Sequence, residues 1–299
     1  MHAGTIAING LIALLLAPLF DGVTRKVRAI VHSRKGPPLT QTYMDILKLL
    51  GKEDLRCTTS AIFRFAPAAA FASFLVVAFL TPMGASPGTG MSGDMIVWIY
   101  FLTFGAAAMI LMASASGNPF AMMGGAREIM LLLSVEPIVV ASLITAAVKS
   151  RSLLLSDMSA HNFTAGPSVS MAVAGVALFL ALQATLGRLP FDIAEAESEL
   201  VGGALVEQSG PNLALLKMAL LMRQAIYTYI LVQIFIPWPA LSPWPLMLVS
   251  SAVKVAVLFV LAAVIEAVSP RLRIDQAMTY MSRVLFVALA ALAFAAIGV

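Results

Sequence analysis

Long apolar runs alternate with short polar connections along the whole chain. Each run contains about 20 residues, the length that an α-helix needs to cross a hydrocarbon core about 30 Å thick. The pattern predicts eight membrane-spanning helices, at about residues 3–22, 62–84, 95–115, 127–148, 168–187, 213–236, 245–268 and 278–298. We therefore expect an all-α, polytopic membrane protein in which residues 1–299 form a single integral membrane domain.

The stretch after the first span has a different, amphipathic pattern. The charged residues Asp45 and Lys48 lie off a helical face whose apolar members are Tyr43, Ile46, Leu47 and Leu50. A helix with one apolar face lies along the membrane interface. We expect such a helix at about residues 40–54 on the cytoplasmic side, where it either only packs or also lines a ligand site.

Lysine and arginine are concentrated in alternate connections, which marks those connections as cytoplasmic. The basic residues on this side, including two at helix ends, are Arg25, Lys26, Arg28, Arg34, Lys35, Lys48, Lys52, Arg56, Arg127, Arg188, Arg271, Arg273 and Arg283. The opposite connections contain only Lys149 and Arg151. We expect a multi-pass protein of the cell's inner (cytoplasmic) membrane, with both termini on the outer side. The net charge of +4 reports this topology and gives no indication of nucleic-acid binding.

Cysteine and histidine are too sparse and scattered to bind a metal or a cluster. Cys57 is the only cysteine, and the histidines are His2, His32 and His161. The sequence therefore predicts no disulfide, no metal site, no iron–sulfur ligation and no catalytic residue in this chain. Any redox cofactor is expected in a partner.

A small set of ionisable residues lies inside the predicted spans. Such residues are costly in a bilayer and usually face a bundle interior, a partner or an ion path. They are Glu128, Glu136, Arg223, Lys254 and Glu266. We predict that they belong to an ion relay, with structural ion pairs as the alternative.

Depth suggests how these residues are arranged. Glu136 and Arg223 both lie roughly 14–15 Å from the cytoplasmic ends of their spans, so we expect a buried pair between them. Glu128 and Glu136 are about 12 Å apart along one helix axis, as two stations on one track. Pro137 leaves the carbonyl of Leu133 without its helical N–H partner, which favours water beside Glu136.

The connection at about residues 188–212 is an acidic cytoplasmic loop. Its acids are Asp192, Glu195, Glu197, Glu199 and Glu207. Asp192, Glu195 and Glu199 have the spacing of one helical face, and Glu197 lies off it. Neighbouring carboxylates raise one another's pKa, which suits a proton relay near neutral pH. A solvated acidic patch that docks a partner is the alternative.

Several motifs together resemble a known family. They are Thr24–Arg28, Arg34–Pro37, Asp45–Asp54, Ala66-Pro67, Arg127–Glu136, Pro190–Leu200, Glu207–Gly210 and Pro270–Gln276. Over nearly the whole chain the sequence resembles the NuoH-type subunit of respiratory complex I. The resemblance implies a membrane anchor that meets a hydrophilic redox arm and begins a polar chain toward ion-pumping subunits. It places Glu136, Asp192, Glu195, Glu197, Glu199 and Glu207 at acidic-channel positions.

Two departures from the quinone-reducing members are similar to the membrane subunits of energy-converting nickel-iron hydrogenases and formate hydrogenlyases. The stretch after Gly36-Pro37 is shorter, and Leu220 stands where those members usually have a glutamate, with Lys217 nearby. This resemblance implies hydrogenase large and small subunits, an iron–sulfur subunit and antiporter-like membrane subunits as partners. Those partners would hold the nickel-iron centre and the iron–sulfur clusters.

The expected role is therefore docking plus proton or sodium relay, with formate, ferredoxin or carbon monoxide as the electron donor. The residues expected to dock the hydrophilic arm are Arg25, Arg28, Arg34, Lys35, Asp45, Lys48, Arg271, Arg273 and Asp275. The alternatives are a quinone-chamber subunit of a complex I-type dehydrogenase, a stand-alone secondary transporter and a passive scaffold.

Overall fold

The computed structural model of the protein describes residues 2–83, 93–239 and 244–298. The described residues form the helices α1 (His2–Val31), α2 (Gln41–Leu50), α3 (Ala61–Leu80), α4 (Met95–Ala115), α5 (Pro119–Ser150), α6 (Leu155–Ala165), α7 (Val169–Thr185), α8 (Glu197–Leu200), α9 (Gly210–Ile230), α10 (Trp244–Val268) and α11 (Ile274–Ile297). A 3₁₀ turn follows α8 at Gly203–Leu205, and a π-helical turn at Leu231–Phe235 extends α9. The all-α prediction is confirmed.

Among the described helices, seven are long and apolar enough to cross a membrane, namely α1, α3, α4, α5, α9 with its π-helical turn, α10 and α11. The remaining predicted span, 168–187, corresponds to α7, an apolar helix of 17 residues. Its inward face is buried at Ala174, Ala177, Leu178 and Ala181, and it packs against α5 and α11. The predicted multi-pass membrane architecture is thus confirmed with seven candidate spans among the described helices, and the eighth span stays a prediction.

Some helices extend beyond the apolar runs that predicted them. Helix α1 continues past residue 22 to Val31, so its last turns include the basic residues Arg25, Lys26 and Arg28. Helix α5 begins at Pro119, where the side chain of Asn118 accepts a hydrogen bond from the Phe120 amide and caps the helix. The amphipathic helix is confirmed but shorter than predicted, at Gln41–Leu50. Helix α6 was not predicted.

Helix α9 lies at the centre of the bundle. Within its span, 78% of the most apolar window is buried inside the protein, the largest share among the described spans. It contacts α1, α3, α7 and α10. A polar side chain on α9 is therefore surrounded by protein rather than lipid.

The acidic loop is not the helix that its spacing predicts. Asp192 and Glu195 lie in turns, and only Glu197–Leu200 is helical. The small and apolar residues of this stretch are buried instead, at Phe191, Ile193, Ala194 and Ala196. This burial holds the chain against the bundle, so the predicted common face of Asp192, Glu195 and Glu199 is wrong.

Candidate functional site

The centre of the candidate site is an ion pair between α5 and α9. Arg223 Nη1 lies 2.8 Å from Glu128 Oε1, and the two side chains are 11% and 21% exposed. Both are on spans that cross the membrane. The predicted partner of Arg223 was Glu136, and the structure corrects this to Glu128. Equal depth did not decide the pairing because it leaves the rotation of each helix about its axis unspecified.

Glu136 has a different partner, on α4. The hydroxyl of Thr103 donates to Glu136 Oε1 at 2.6 Å. Tyr227, buried one turn after Arg223 on α9, lies within electrostatic range of Arg223, Glu136 and Glu128. Both glutamates of α5 therefore lie near polar groups of α4 and α9.

A small cavity lies beside the ion pair. Its volume is about 30 Å³, and its polar lining comes from Glu128, Thr185, Arg223 and Tyr227. Arg223 Nε is buried there without a hydrogen-bond partner among the described residues. The rest of the lining is apolar, from α4, α5 and α7, and the volume is large enough for one water molecule beside the ion pair.

Glu195 connects the acidic loop to the same site. It is half-buried and interacts electrostatically with Glu128, Arg223, Asp192 and Lys217. Burial, followed by the negative charge of Glu128, raises the pKa of Glu195 to about 7. No basic group of the described residues lies within ion-pair distance of it. Glu195 is therefore placed to exchange a proton near neutral pH.

Three other acids of the loop have fixed partners. Asp192 lies 2.8 Å from Arg271 Nη2, Glu199 lies 2.7 Å from Arg127 Nη1, and the Asn118 amide donates to Glu207. The hydrogen bond from Arg127 holds the pKa of Glu199, which is exposed, below its usual range.

Glu197 is in α8, but its side chain lies outside the described residues. Its assignment to the relay stays a prediction.

A chamber opens beside Glu195 on the predicted cytoplasmic side. Its volume is about 780 Å³. The charged residues that line it come from α1, the loop, α9, α10 and the α10–α11 connection, and they are Arg28, Arg188, Asp192, Glu195, Lys217, Glu266 and Arg271. The chamber gives solvent a route from this surface to the loop end of the relay.

Glu266 belongs to a cluster at the rim of this chamber. It is 4% exposed and lies 2.7 Å from Arg28 Nη1 and 3.5 Å from Arg188 Nη1. Arg188 also contacts Asp21, a buried residue that lies 2.9 Å from Arg25 Nε. These contacts join α1, α10 and the first residue of the acidic loop. Glu266 therefore belongs to an ion-pair cluster that is separate from the Arg223–Glu128 pair.

Asp21 and Arg188 are site residues that the sequence pattern did not identify. Asp21 ends the first apolar run, and an acid there directly before basic residues was the available signal. Thr42 of α2 donates to Asp21 Oδ2 at 2.8 Å, and Thr24 accepts from Arg188 at 2.6 Å. Asp21 and Glu266 are far apart in the sequence, and both carboxylates lie near Arg188. Spacing along the sequence does not predict such a contact.

Lys254 lies away from the other predicted relay residues. Its Nζ donates to the carbonyls of Ile236 at 3.1 Å and Pro237 at 2.8 Å, just after the π-helical turn. Ser159 and Asn162 of α6 donate hydrogen bonds to the neighbouring carbonyls of Gln233 and Ile234 in that turn. Carbonyls at a helix end need such donors, so the geometry gives Lys254 a capping contact.

The predicted docking residues divide into two groups. Arg34, Lys35, Lys48, Arg273 and Asp275 are exposed. The others form ion pairs within the chain: Arg25 with Asp21 and Asp45, Arg28 with Glu266, and Arg271 with Asp192. Among the described residues, no group of three or more His, Cys, Asp or Glu is arranged to hold a metal ion.

Residues 4–297 match the family model described as NADH dehydrogenase. The chain belongs to the NADH dehydrogenase family. The resemblance that the motifs predicted is thereby confirmed.

Relatives within the family include hydrogenase subunits. Hydrogenase-4 component C of Escherichia coli (strain K12) is 35% identical over 271 residues, covering 86% of this chain and 84% of the relative. Formate hydrogenlyase subunit 4 of the same strain is 32% identical and covers 90% of each chain. The NuoH-type subunit of the NADH-quinone oxidoreductase of Brevibacillus brevis is 32% identical, covering 91% of this chain and 87% of the relative.

A solved structure has a similar fold. One chain of the membrane-bound sulfane sulfur reductase, an archaeal respiratory membrane complex, matches with a TM-score of 0.86 at 26% identity. The match covers 97% of this chain and 99% of that chain. Relatives in this family are thus components of larger membrane oxidoreductases.

The first prediction concerns the pair in the membrane. Arg223→Ala should destabilise the purified complex more than Arg223→Lys, because alanine leaves the Glu128 carboxylate uncompensated, at a cost of roughly 3–5 kcal/mol. Thermal unfolding in detergent measures the difference. Adding Glu128→Gln to Arg223→Ala should recover much of the loss. Recovery with Glu136→Gln instead would contradict the assigned pair.

The second prediction concerns the rim cluster. Asp21→Asn should loosen the start of the acidic loop, because Arg188 loses a buried anion. Hydrogen exchange followed by mass spectrometry should then show faster exchange across residues 188–196. Asp275→Asn is the matched control, since Asp275 is 79% exposed and its carboxylate lies 3.7 Å from Arg273, which is also exposed. Equal exchange in the two variants would show that Asp21 does not hold the loop.

Proposed function

We propose that this chain is the membrane anchor and coupling subunit of an energy-converting hydrogenase complex. It docks a hydrophilic arm with a nickel-iron centre and iron–sulfur clusters, and it relays redox energy to proton or sodium translocation. The observation that carries the proposal is the polar path from Glu195 through Arg223 and Glu128 to Glu136. The hydrogenase-type relatives support the class of complex.

The path divides into steps that this chain's residues can perform. Glu195 takes a proton from the chamber, since its pKa of about 7 leaves it partly protonated at neutral pH. When Glu195 loses that proton, its negative carboxylate attracts Arg223. This attraction weakens the ion pair between Arg223 and Glu128. Glu128 can then accept a proton, and the polar groups of Tyr227 and Thr103 continue the path to Glu136.

The surface on the same side as the chamber is the proposed docking site for the partner subunits. Exposed basic residues there are Arg34 and Lys35, which precede the amphipathic helix α2, and Lys48, which lies in its last turn. Exposed charges of this kind steer association more than they add affinity. The expected partners are the hydrogenase large and small subunits, an iron–sulfur subunit and antiporter-like membrane subunits. In this orientation both termini face the outer side.

The second candidate is a quinone-chamber subunit of a complex I-type dehydrogenase. The similarity to the NuoH-type subunit of NADH-quinone oxidoreductase favours it. The shorter stretch after Gly36-Pro37, and Leu220 in the region of the quinone chamber, favour the hydrogenase type. Quinone extracted from the purified complex would support the second candidate, and co-purified nickel-containing subunits support the first.

The third prediction separates relay from docking by comparing two loop acids. Glu195→Gln should keep the soluble arm bound and hydrogen evolution from reduced viologen intact, yet lower the number of ions moved per electron. Glu199→Gln is the matched control, because Glu199 is 51% exposed and paired with Arg127. Salt-dependent loss of the arm from the Glu195 variant, with coupling intact, would support a docking patch instead.

The same variant tests the ionisation of Glu195. Its folded pKa of about 7 lies above the usual value of 4.5, so the folded protein binds this proton more tightly than the unfolded chain. The contribution of Glu195 to stability is therefore full at low pH and is lost as the pH rises through 7. Thermal unfolding from about pH 5 to about pH 8 should show this loss in the native protein but not in Glu195→Gln.

A further inference from the structure

Helices α10 and α11 present exposed faces of different composition to the membrane. The exposed residues of α10 are uniformly branched and apolar, namely Leu246, Val249, Val253, Val257, Leu261, Val264 and Val268. This is the composition expected of a surface that contacts lipid tails. Helix α10 therefore serves as an internal reference for a lipid-facing helix.

The exposed seam of α11 departs from that reference. Alternating steps of four and three residues connect its members, which are Thr279, Arg283, Phe286, Ala290, Ala293 and Ile297. Two of these are alanines, and one is a cation. Small residues on a membrane helix let another helix backbone approach closely.

Arg283 is the residue that requires an occupant on this face. It lies within the candidate span Ile274–Ile297, nine residues or about 14 Å along the helix from Ile274. No carboxylate of the described residues lies within ion-pair distance of it. Asp275, the acid at the start of α11, lies two turns away and contacts Arg273.

Charged residues within membrane spans are almost always paired or turned toward a polar interior. Arg283 is exposed instead, so its counter-charge lies outside the part of this chain that the structure describes. The alternative anion is a lipid phosphate in the headgroup layer, which an arginine side chain reaches by extending toward the membrane surface. The seam also continues below Arg283 with Ala290 and Ala293, where α10 has valine and leucine.

We propose that this face of α11 packs against a transmembrane helix of another subunit, and that this helix places a carboxylate against Arg283. The alanines allow close packing, and Phe286, which is 72% exposed, fills a hole in the partner surface. The interface is independent of the relay, because it lies on the outer face of α11.

Cross-linking in the intact complex locates the occupant. A photo-reactive residue at Ala290 should attach to a transmembrane helix of a co-purifying subunit, identified by mass spectrometry, that carries Asp or Glu about two turns toward the cytoplasmic side. The same residue at Val257 of α10 is the control and should label lipid. Labelling of lipid alone, or of a second copy of this chain, from Ala290 would overturn the proposal.

Charge exchange then tests the role of Arg283. Arg283→Glu should reduce retention of that subunit about three- to tenfold, because polar contacts between membrane helices are individually modest. Arg283→Lys should retain most of it, and changing the partner's acid to arginine should rescue Arg283→Glu. Arg64→Glu is the control, since Arg64 is an exposed arginine near the start of α3. Unchanged retention with loss of anionic phospholipid from the particle would assign Arg283 to a lipid headgroup and overturn the interface.

Discussion

A guanidinium in a bilayer cannot be solvated by water, so Arg223 needs an anion from the protein, and Glu128 provides it at 2.8 Å. This pair requires Glu128 of α5 and Arg223 of α9 to face each other, which fixes the rotation of each helix about its axis. It also needs shielding from lipid, which α9 obtains from its central position in the bundle. Removing either charge would leave the other buried without a partner, which is strongly destabilising. The ion pair therefore restricts how the helices can pack.

The acidic loop is arranged around this pair. Backbone contacts hold it close to α5, because a Cβ on Gly124 would come within 2.7 Å of Gly203. Asp192 and Glu199 are ion-paired with arginines, while Glu195 is half-buried and within electrostatic range of Arg223 and Glu128. In the proposed function, Glu195 at the inner side of this loop connects an event at the predicted cytoplasmic surface to a charge inside the membrane.

Hydropathy predicted the spans because the length and composition of a membrane helix are local properties of the sequence. The same holds for α2, whose amphipathic spacing is visible within ten residues. Side-chain partners were harder to predict. Arg223 was assigned to Glu136 from depth alone, and the loop acids were placed on a helix that the buried residues around Phe191 do not allow. Asp21 and Arg188 are 167 residues apart, and the packing of α1 against α10 brings Asp21 and Glu266 within reach of the same arginine. The clustering of acids in the sequence identified the acidic loop, but it did not show which of these acids pair with arginines.

The central claim is that protons or sodium ions cross through the path that ends at Glu136. The most direct test is ion uptake by vesicles that contain the complex with Glu136→Gln, measured together with the rate of electron transfer. Glutamine keeps the size of the side chain and its contact with Thr103 but cannot exchange a proton. We expect an assembled complex with normal electron transfer and no coupled uptake. Normal uptake in the assembled variant would contradict the claim.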